Sequence, residues 1–180
     1  SVVFSGSVKN ICQDAFYNCK NIKDVYISDL ASWCNISFEN GNSNPLSYAE
    51  NIHINGVLTT NLVVPEKVSH ISKYAFNNCK SLTSVTFQSS VRFVENYAFY
   101  GCENLRKIKL GETVETIEKE AFADCEKLNI VELPNSISKI EEDLFWQCSS
   151  LEGVLIPNSV QKIGPAAFKE CTSIESIDIP

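Results

Sequence analysis

Ala75-Phe76-Asn77-Asn78-Cys79 returns 23 residues later as Ala98-Phe99-Tyr100-Gly101-Cys102. The same step of 23 leads to Ala121-Phe122-Ala123-Asp124-Cys125, Leu144-Phe145-Trp146-Gln147-Cys148 and Ala167-Phe168-Lys169-Glu170-Cys171. An earlier copy, Ala15-Phe16-Tyr17-Asn18-Cys19, stands before an interruption. A short, strict period means one small supersecondary unit stacked many times, a solenoid in which each unit touches only its neighbours. Solenoids offer long surfaces and seldom enclose a reactive pocket, so the expected class of function is binding.

Between Cys79 and Cys102 run Leu82-x-x-Val85-x-Phe87, then Val91-x-x-Val94, then Ala98-Phe99. Val85-Thr86-Phe87 alternates in, out, in, which is strand periodicity. Its equivalents are Val2-Val3-Phe4, Val25-Tyr26-Ile27, Leu62-Val63-Val64, Ile108-Lys109-Leu110, Val131-Glu132-Leu133, Val154-Leu155-Ile156 and Ile177-Asp178-Ile179. Stacked, these predict a parallel sheet with the large aliphatics inside. Pro65, Pro134, Pro157 and Pro180 follow such stretches and, lacking an N–H for the ladder, end the strand. A second apolar pair, such as Val114 with Ile117, closes the opposite wall, and Glu118-Lys119-Glu120-Ala121-Phe122 has the composition of a helical turn. The small Ala lets the coil pass closely, and the Phe fills the centre.

Six of the eight cysteines, Cys19, Cys79, Cys102, Cys125, Cys148 and Cys171, occupy one repeat position. Side chains at such a position stack about 5 Å apart and point the same way, whereas a disulfide needs Cβ vectors turned toward each other. A ladder of buried free thiols is expected, and the absence of a Cys-x-x-Cys pair speaks against zinc. Cys12 and Cys34 lie off the ladder, and a bridge between them is left open.

The pattern Leu-x-x-Val-x-Ile-Pro-x-x-Val-x-x-Ile-x-x-x-Ala-Phe-x-x-Cys resembles the BspA-like leucine-rich repeat family over Val2–Lys23 and Leu62–Pro180. The resemblance implies an α/β repeat solenoid, a parallel β-sheet on one face and short helical turns or extended segments on the other. It also implies a surface-displayed or secreted protein, mainly of host-associated bacteria, linked to adhesion to host or matrix proteins or other cells. Departures are small: Leu144 replaces the usual Ala, and the Gly typical after the second Ile survives only at Gly164. Residues 1–180 are expected to form one solenoid belonging to a longer protein, with targeting signals outside it and a divergent inserted coil at about 28–61.

That insertion makes Ile27 to Val64 a span of 37 residues, one repeat plus 14. Asp29–Cys34 reads as a short helix capped by Ser28 or Asp29, Asn40–Pro45 as a turn-rich loop, and Ile52–Leu58 as a hairpin around Asn55-Gly56. Trp33-Cys34-Asn35-Ile36-Ser37-Phe38 followed by Asn44-Pro45-Leu46-Ser47-Tyr48-Ala49 resembles a type of insertion known in the same family. Two readings stand for it: a modified coil whose Trp33, Phe38 and Tyr48 pack on its neighbours, or a segment that contacts a ligand.

A net charge of −7 argues against nucleic acid and anionic membranes, and no apolar run approaches the roughly 20 residues of a membrane span. His53 and His70 accompany no nucleophile or metalloprotease motif, and seven glycines form no phosphate loop. Asn35-Ile36-Ser37 is a glycosylation sequon that matters only in a eukaryotic secretory pathway. Glu95, Glu118 and Glu141 share one position, a column either solvated and screened or able to collect Ca²⁺; the solvated reading is the simpler. No catalytic residue, metal or cofactor is expected.

The outward strand stripe is Val3, Tyr26, Val63, Thr86, Lys109, Glu132, Leu155 and Asp178, with Lys107, Ile130 and Gly153 beside it. In leucine-rich repeats this face is commonly the recognition surface. Its mixture of apolar, cationic and anionic groups suits a protein partner, and it lacks an aromatic series for a sugar chain or a basic track. The candidate ligand-binding residues are Tyr26, Thr86, Lys107, Lys109, Ile130, Glu132, Leu155 and Asp178. The leading expectation is a non-enzymatic module binding a host or matrix protein at the cell surface; the alternative is a spacer presenting another domain, and an enzyme would need a partner domain.

Overall fold

A strand of three or four residues cannot satisfy its own backbone, so each must borrow partners from another segment. The computed structural model, which describes residues 1–180, supplies them from the turn above and the turn below. The chain winds through about seven turns as a parallel-strand solenoid. The first turn holds β1 (Val2–Phe4) and β2 (Asn10–Ile11), and the second β3 (Asp24–Ile27), α1 (Leu30–Cys34) and β4 (Ser37–Phe38). A hairpin of β5 (Asn51–Ile54) and β6 (Val57–Leu58) follows. The regular turns pair a longer strand with a two-residue one: β7 (Asn61–Val64) with β8 (His70–Ile71), then β9 (Ser84–Phe87) with β10 (Phe93–Val94). They continue as β11 (Lys107–Lys109) with β12 (Thr116–Ile117), β13 (Ile130–Glu132) with β14 (Lys139–Ile140), and β15 (Gly153–Leu155) with β16 (Lys162–Ile163).

The longer strands build the first wall in two sheets, ordered β1-β3-β5-β6 and β7-β9-β11-β13-β15. Register follows the period: Leu62 sits opposite Val85 and Val85 opposite Ile108, all three buried. The short strands make the second wall, where β8, β10 and β12 place Ile71, Val94 and Ile117 side by side. Pro65, Pro134 and Pro157 each open the turn between the walls, accepting from the N–H three residues on (Val68, Ile137, Val160).

The third wall corrects the expected helical turns. Its Ala-Phe-x-x-Cys segments are laddered turn to turn: Phe76 N–H donates to Ala98 O at 2.8 Å, Phe99 N–H to Ala121 O at 2.9 Å, and Phe145 N–H to Ala167 O at 2.9 Å. Two left-handed residues per turn cause this. Tyr74, Tyr97, Glu120, Asp143 and Ala166 have φ of 53–61°, and Asn78, Gly101, Asp124, Gln147 and Glu170 have φ of 54–67°. A left-handed residue aims amides along the solenoid axis, whereas a right-handed helix would turn them back on their own segment. The α/β description therefore fails for the regular turns, and the one α-helix is the five-residue α1.

Inside, Phe76, Phe99, Phe122, Phe145 and Phe168 stack with successive centroids 5.1, 5.4, 6.2 and 5.8 Å apart and nearly parallel rings. They belong to one cluster of 46 buried residues or pack against it. The thiol ladder is also a hydrogen-bond ladder: Cys102, Cys125, Cys148 and Cys171 Sγ donate to the carbonyls of Phe76, Phe99, Phe122 and Phe145 at 3.0–3.4 Å. Cys19 departs from expectation: it is exposed and Phe16 only half-buried. The turn after it lacks an Ala-Phe-x-x-Cys segment and lays two 3-10 turns, Gly41–Ser43 and Pro45–Ser47, in its place.

The interruption resolves into two length changes. Val25 pairs with Ile52, so the second turn is 27 residues long, and the hairpin then spends ten more before Leu62. The strand beside β3 is thus β5, not Leu62–Val64. Asp29 caps α1, its carboxylate accepting from Ala31 N–H, and hydrogen bonds from the Ser32 hydroxyl and Lys67 hold its pKa down at about 2. Asn55 and Gly56 both have positive φ, as the two-residue hairpin turn requires. Trp33 and Phe38 are buried, with Trp33 Nε1–H donating to Ala75 O at 2.9 Å, and Tyr48 bonds Asn42 within the insertion. At the far end Ile177–Ile179 forms no strand, and Asp178 lies exposed in that segment.

Phe122 has no alternative filler between Phe99 and Phe145. Phe122→Ala should lower the unfolding free energy by about 3–5 kcal/mol, measured by urea denaturation.

Candidate functional site

Strand alternation carries one set of side chains out of the first wall in two rows. Asn61, Ser84, Lys107, Ile130 and Gly153 form one, and Val63, Thr86, Lys109, Glu132 and Leu155 the other. Lys107, Lys109, Ile130, Glu132 and Leu155 converge on a groove of about 620 Å³ across β11, β13 and β15. Ile130 and Leu155 are 53% and 62% exposed, large apolar groups held in water beside charged ones. Lys107, Lys109 and Glu132 have no ion-pair partner.

The other candidates lie elsewhere. Thr86 is half-buried one strand from the groove, opposite Lys109. Tyr26 is on the separate N-terminal sheet, and Asp178 lies beyond the last strand. The strand-face residue of the inserted turn is His53, which the period alone misses because the hairpin displaces its strand. His53 stacks on Tyr26 with centroids 4.4 Å apart and meets Asp24 Oδ1 through Nε2 at 3.0 Å. That contact, with Asn51 Nδ2–H donating to the same oxygen, lowers the Asp24 pKa.

The column Glu95, Glu118, Glu141 is spent on the fold. Glu95 accepts from Lys73 N–H at 2.8 Å and meets His70 at 3.0 Å, Glu118 accepts from Asn96 N–H and Nδ2–H, and Glu141 pairs with Lys139. No group of three or more His, Cys, Asp or Glu converges to hold a metal ion. All eight cysteines are free, so no Cys12–Cys34 bridge forms. Burial drives the thiol pKa values up, to about 12 for Cys79 and well above the ordinary value for Cys102 and Cys125.

The sequence matches the BspA type leucine rich repeat region, in six copies, over residues 1–57 and 51–175. The T. pallidum leucine rich repeat protein TpLRR is 35% identical over 67% of this chain and 59% of its own, with a TM-score of 0.63. A leucine rich cell surface protein of Faecalibacterium prausnitzii matches 98% of this chain and 59% of its own at 22% identity and a TM-score of 0.71. The pneumococcal vaccine antigen PcpA matches 98% of this chain and 55% of its own at 16% identity and a TM-score of 0.62. The last two likenesses are of fold alone. The chain thus corresponds to about three fifths of the length of the first two proteins. No curated protein matches it.

Two outcomes test this account of the titratable groups. The melting temperature should be the same in millimolar Ca²⁺ and in chelator, since Glu95 and Glu118 already serve backbone donors and Glu141 is paired with Lys139. A thiol reagent should modify Cys12 and Cys19 rapidly in the native protein and the six buried cysteines only on unfolding.

Proposed function

The chain belongs to the BspA-type leucine-rich repeat family, and from that premise we propose that it is a non-enzymatic protein-interaction module, displayed at a cell surface or secreted, that adheres to a host or matrix protein. One observation carries the reading: five of the eight residues singled out on the strand face meet in a single groove, where exposed apolar and unpaired charged side chains adjoin. Interfaces of this kind combine an apolar centre with a polar rim. The likeness to a leucine rich cell surface protein and to a vaccine antigen supports the surface location. Tyr26 and His53 stack on the strand side of the N-terminal sheet, both partly buried.

The test is binding of the purified chain to an array of host matrix and cell-surface proteins, beside the double variant Lys109→Glu/Glu132→Lys. Both positions are exposed, so folding should be unchanged. Saturable binding that weakens at least about tenfold in the variant, roughly 1.4 kcal/mol, is the expected result. Binding that the variant leaves intact moves the site off this face, and no binding to any array member favours a spacer.

A further inference from the structure

The groove lies where the bridging between neighbouring strands is sparsest. β7 and β9 bridge at four residue pairs, β9 and β11 at three, and β13 and β15 at three; β11 and β13 bridge only at Lys107 and Ile130. Pro134, just past β13, has no N–H to return to the preceding turn. Ile108 and Leu110 of the β11 side also belong to the lining.

Charge is distributed unevenly. The chain carries −7, yet Arg106, Lys107 and Lys109 crowd the β11 side of the groove, and none of them reaches a carboxylate within ion-pair distance. Of the two lining carboxylates, Glu112 already accepts from Asn135 N–H at 3.3 Å. The apolar groups lie on the other side: Ile130 is opposite Lys107, and Leu155 is one strand further, opposite Glu132. Neighbouring strands are about 4.8 Å apart, and residues two apart in an extended chain are about 7 Å apart on one face. A segment crossing the strands therefore sets one side chain over β11 and the next on that face over β13 or β15.

We propose that this groove takes an extended segment of a protein partner in which a carboxylate residue is followed, two to four positions away, by a large apolar one. The carboxylate lies over Lys107 and Lys109, and the apolar side chain covers Ile130 and Leu155. Glu132 repels a second carboxylate placed beside Leu155, so the acid-then-apolar order across the strands is set by charge. This inference rests on the strand face being the binding surface.

The probes are fluorescein-labelled Gly-Ser decapeptides with Asp and Leu at alternate positions, a second set with Lys for Asp, and a third with Ser for Leu. Fluorescence polarisation would be read against the wild-type chain, Lys107→Glu/Lys109→Glu, Ile130→Ser/Leu155→Ser, and the charge-matched control Lys80→Glu/Lys127→Glu, whose sites are exposed and outside the groove. The expected result is saturable binding of the Asp/Leu peptide alone, weakened at least tenfold in both groove variants, retained in the control, and reduced by added salt. Absence of saturation, equal binding of the Lys or Ser peptides, or equal loss in the control overturns the proposal. The two readings fail separately. If an array protein loses binding on Lys109→Glu/Glu132→Lys while the Asp/Leu peptide neither binds nor competes, the face stands and the partner chemistry is wrong. If array binding survives that variant, the face itself is wrong.

Discussion

The walls of this molecule depend on backbone groups being satisfied between turns as well as within them. A helix closes its hydrogen bonds on itself, so its length and its neighbours vary independently. Here the strands, and every second amide of the Ala-Phe-x-x-Cys wall, bond along the solenoid axis, and the three ladders must advance together. One step of 23 residues meets that demand for every wall at once. The stacked phenylalanines and the cysteine thiols then occupy a column whose spacing the backbone has already set. Even the surface glutamates follow the rule, since Glu95 and Glu118 each accept an amide 22 residues earlier, in the preceding turn.

What the sequence announced was whatever a period or a local rule encodes. Inward aliphatics such as Val85, Ile108 and Val131 showed by alternation, Asp29 by its capping chemistry, and Asn55-Gly56 by the left-handed turn it permits. The third wall is hard to read because its determinant is a backbone conformation that only some of its residues, such as Asn78, Gly101 and Asp124, favour. Tyr74, Glu120 and Ala166 adopt positive φ only because the ladder on either side holds them there. Cys19 was misplaced for the same kind of reason: a repeat position is buried only when the next turn repeats too, and the turn after Cys19 does not.

The strand face was half legible. Which side chains point outward follows from the period of two, and the groove residues were named on that basis. Their convergence was not visible, because it depends on how three successive strands lie side by side, a relation between turns that no single turn reveals. His53 was hidden by the hairpin, which moves the inserted turn's strand ten residues ahead of Leu62.

The hairpin also shows where such a chain tolerates a change of length. A residue added inside a strand would turn the side chains beyond it in that strand from one face to the other. The β5–β6 tip is different: it returns antiparallel before β7 restarts the count, and a Cβ at Gly56 would have no neighbour within 4 Å. Inserted sequence there would shift no column. The tip is thus the natural splice point of the solenoid, a place where a foreign loop or tag could be carried while the turns on either side keep their count.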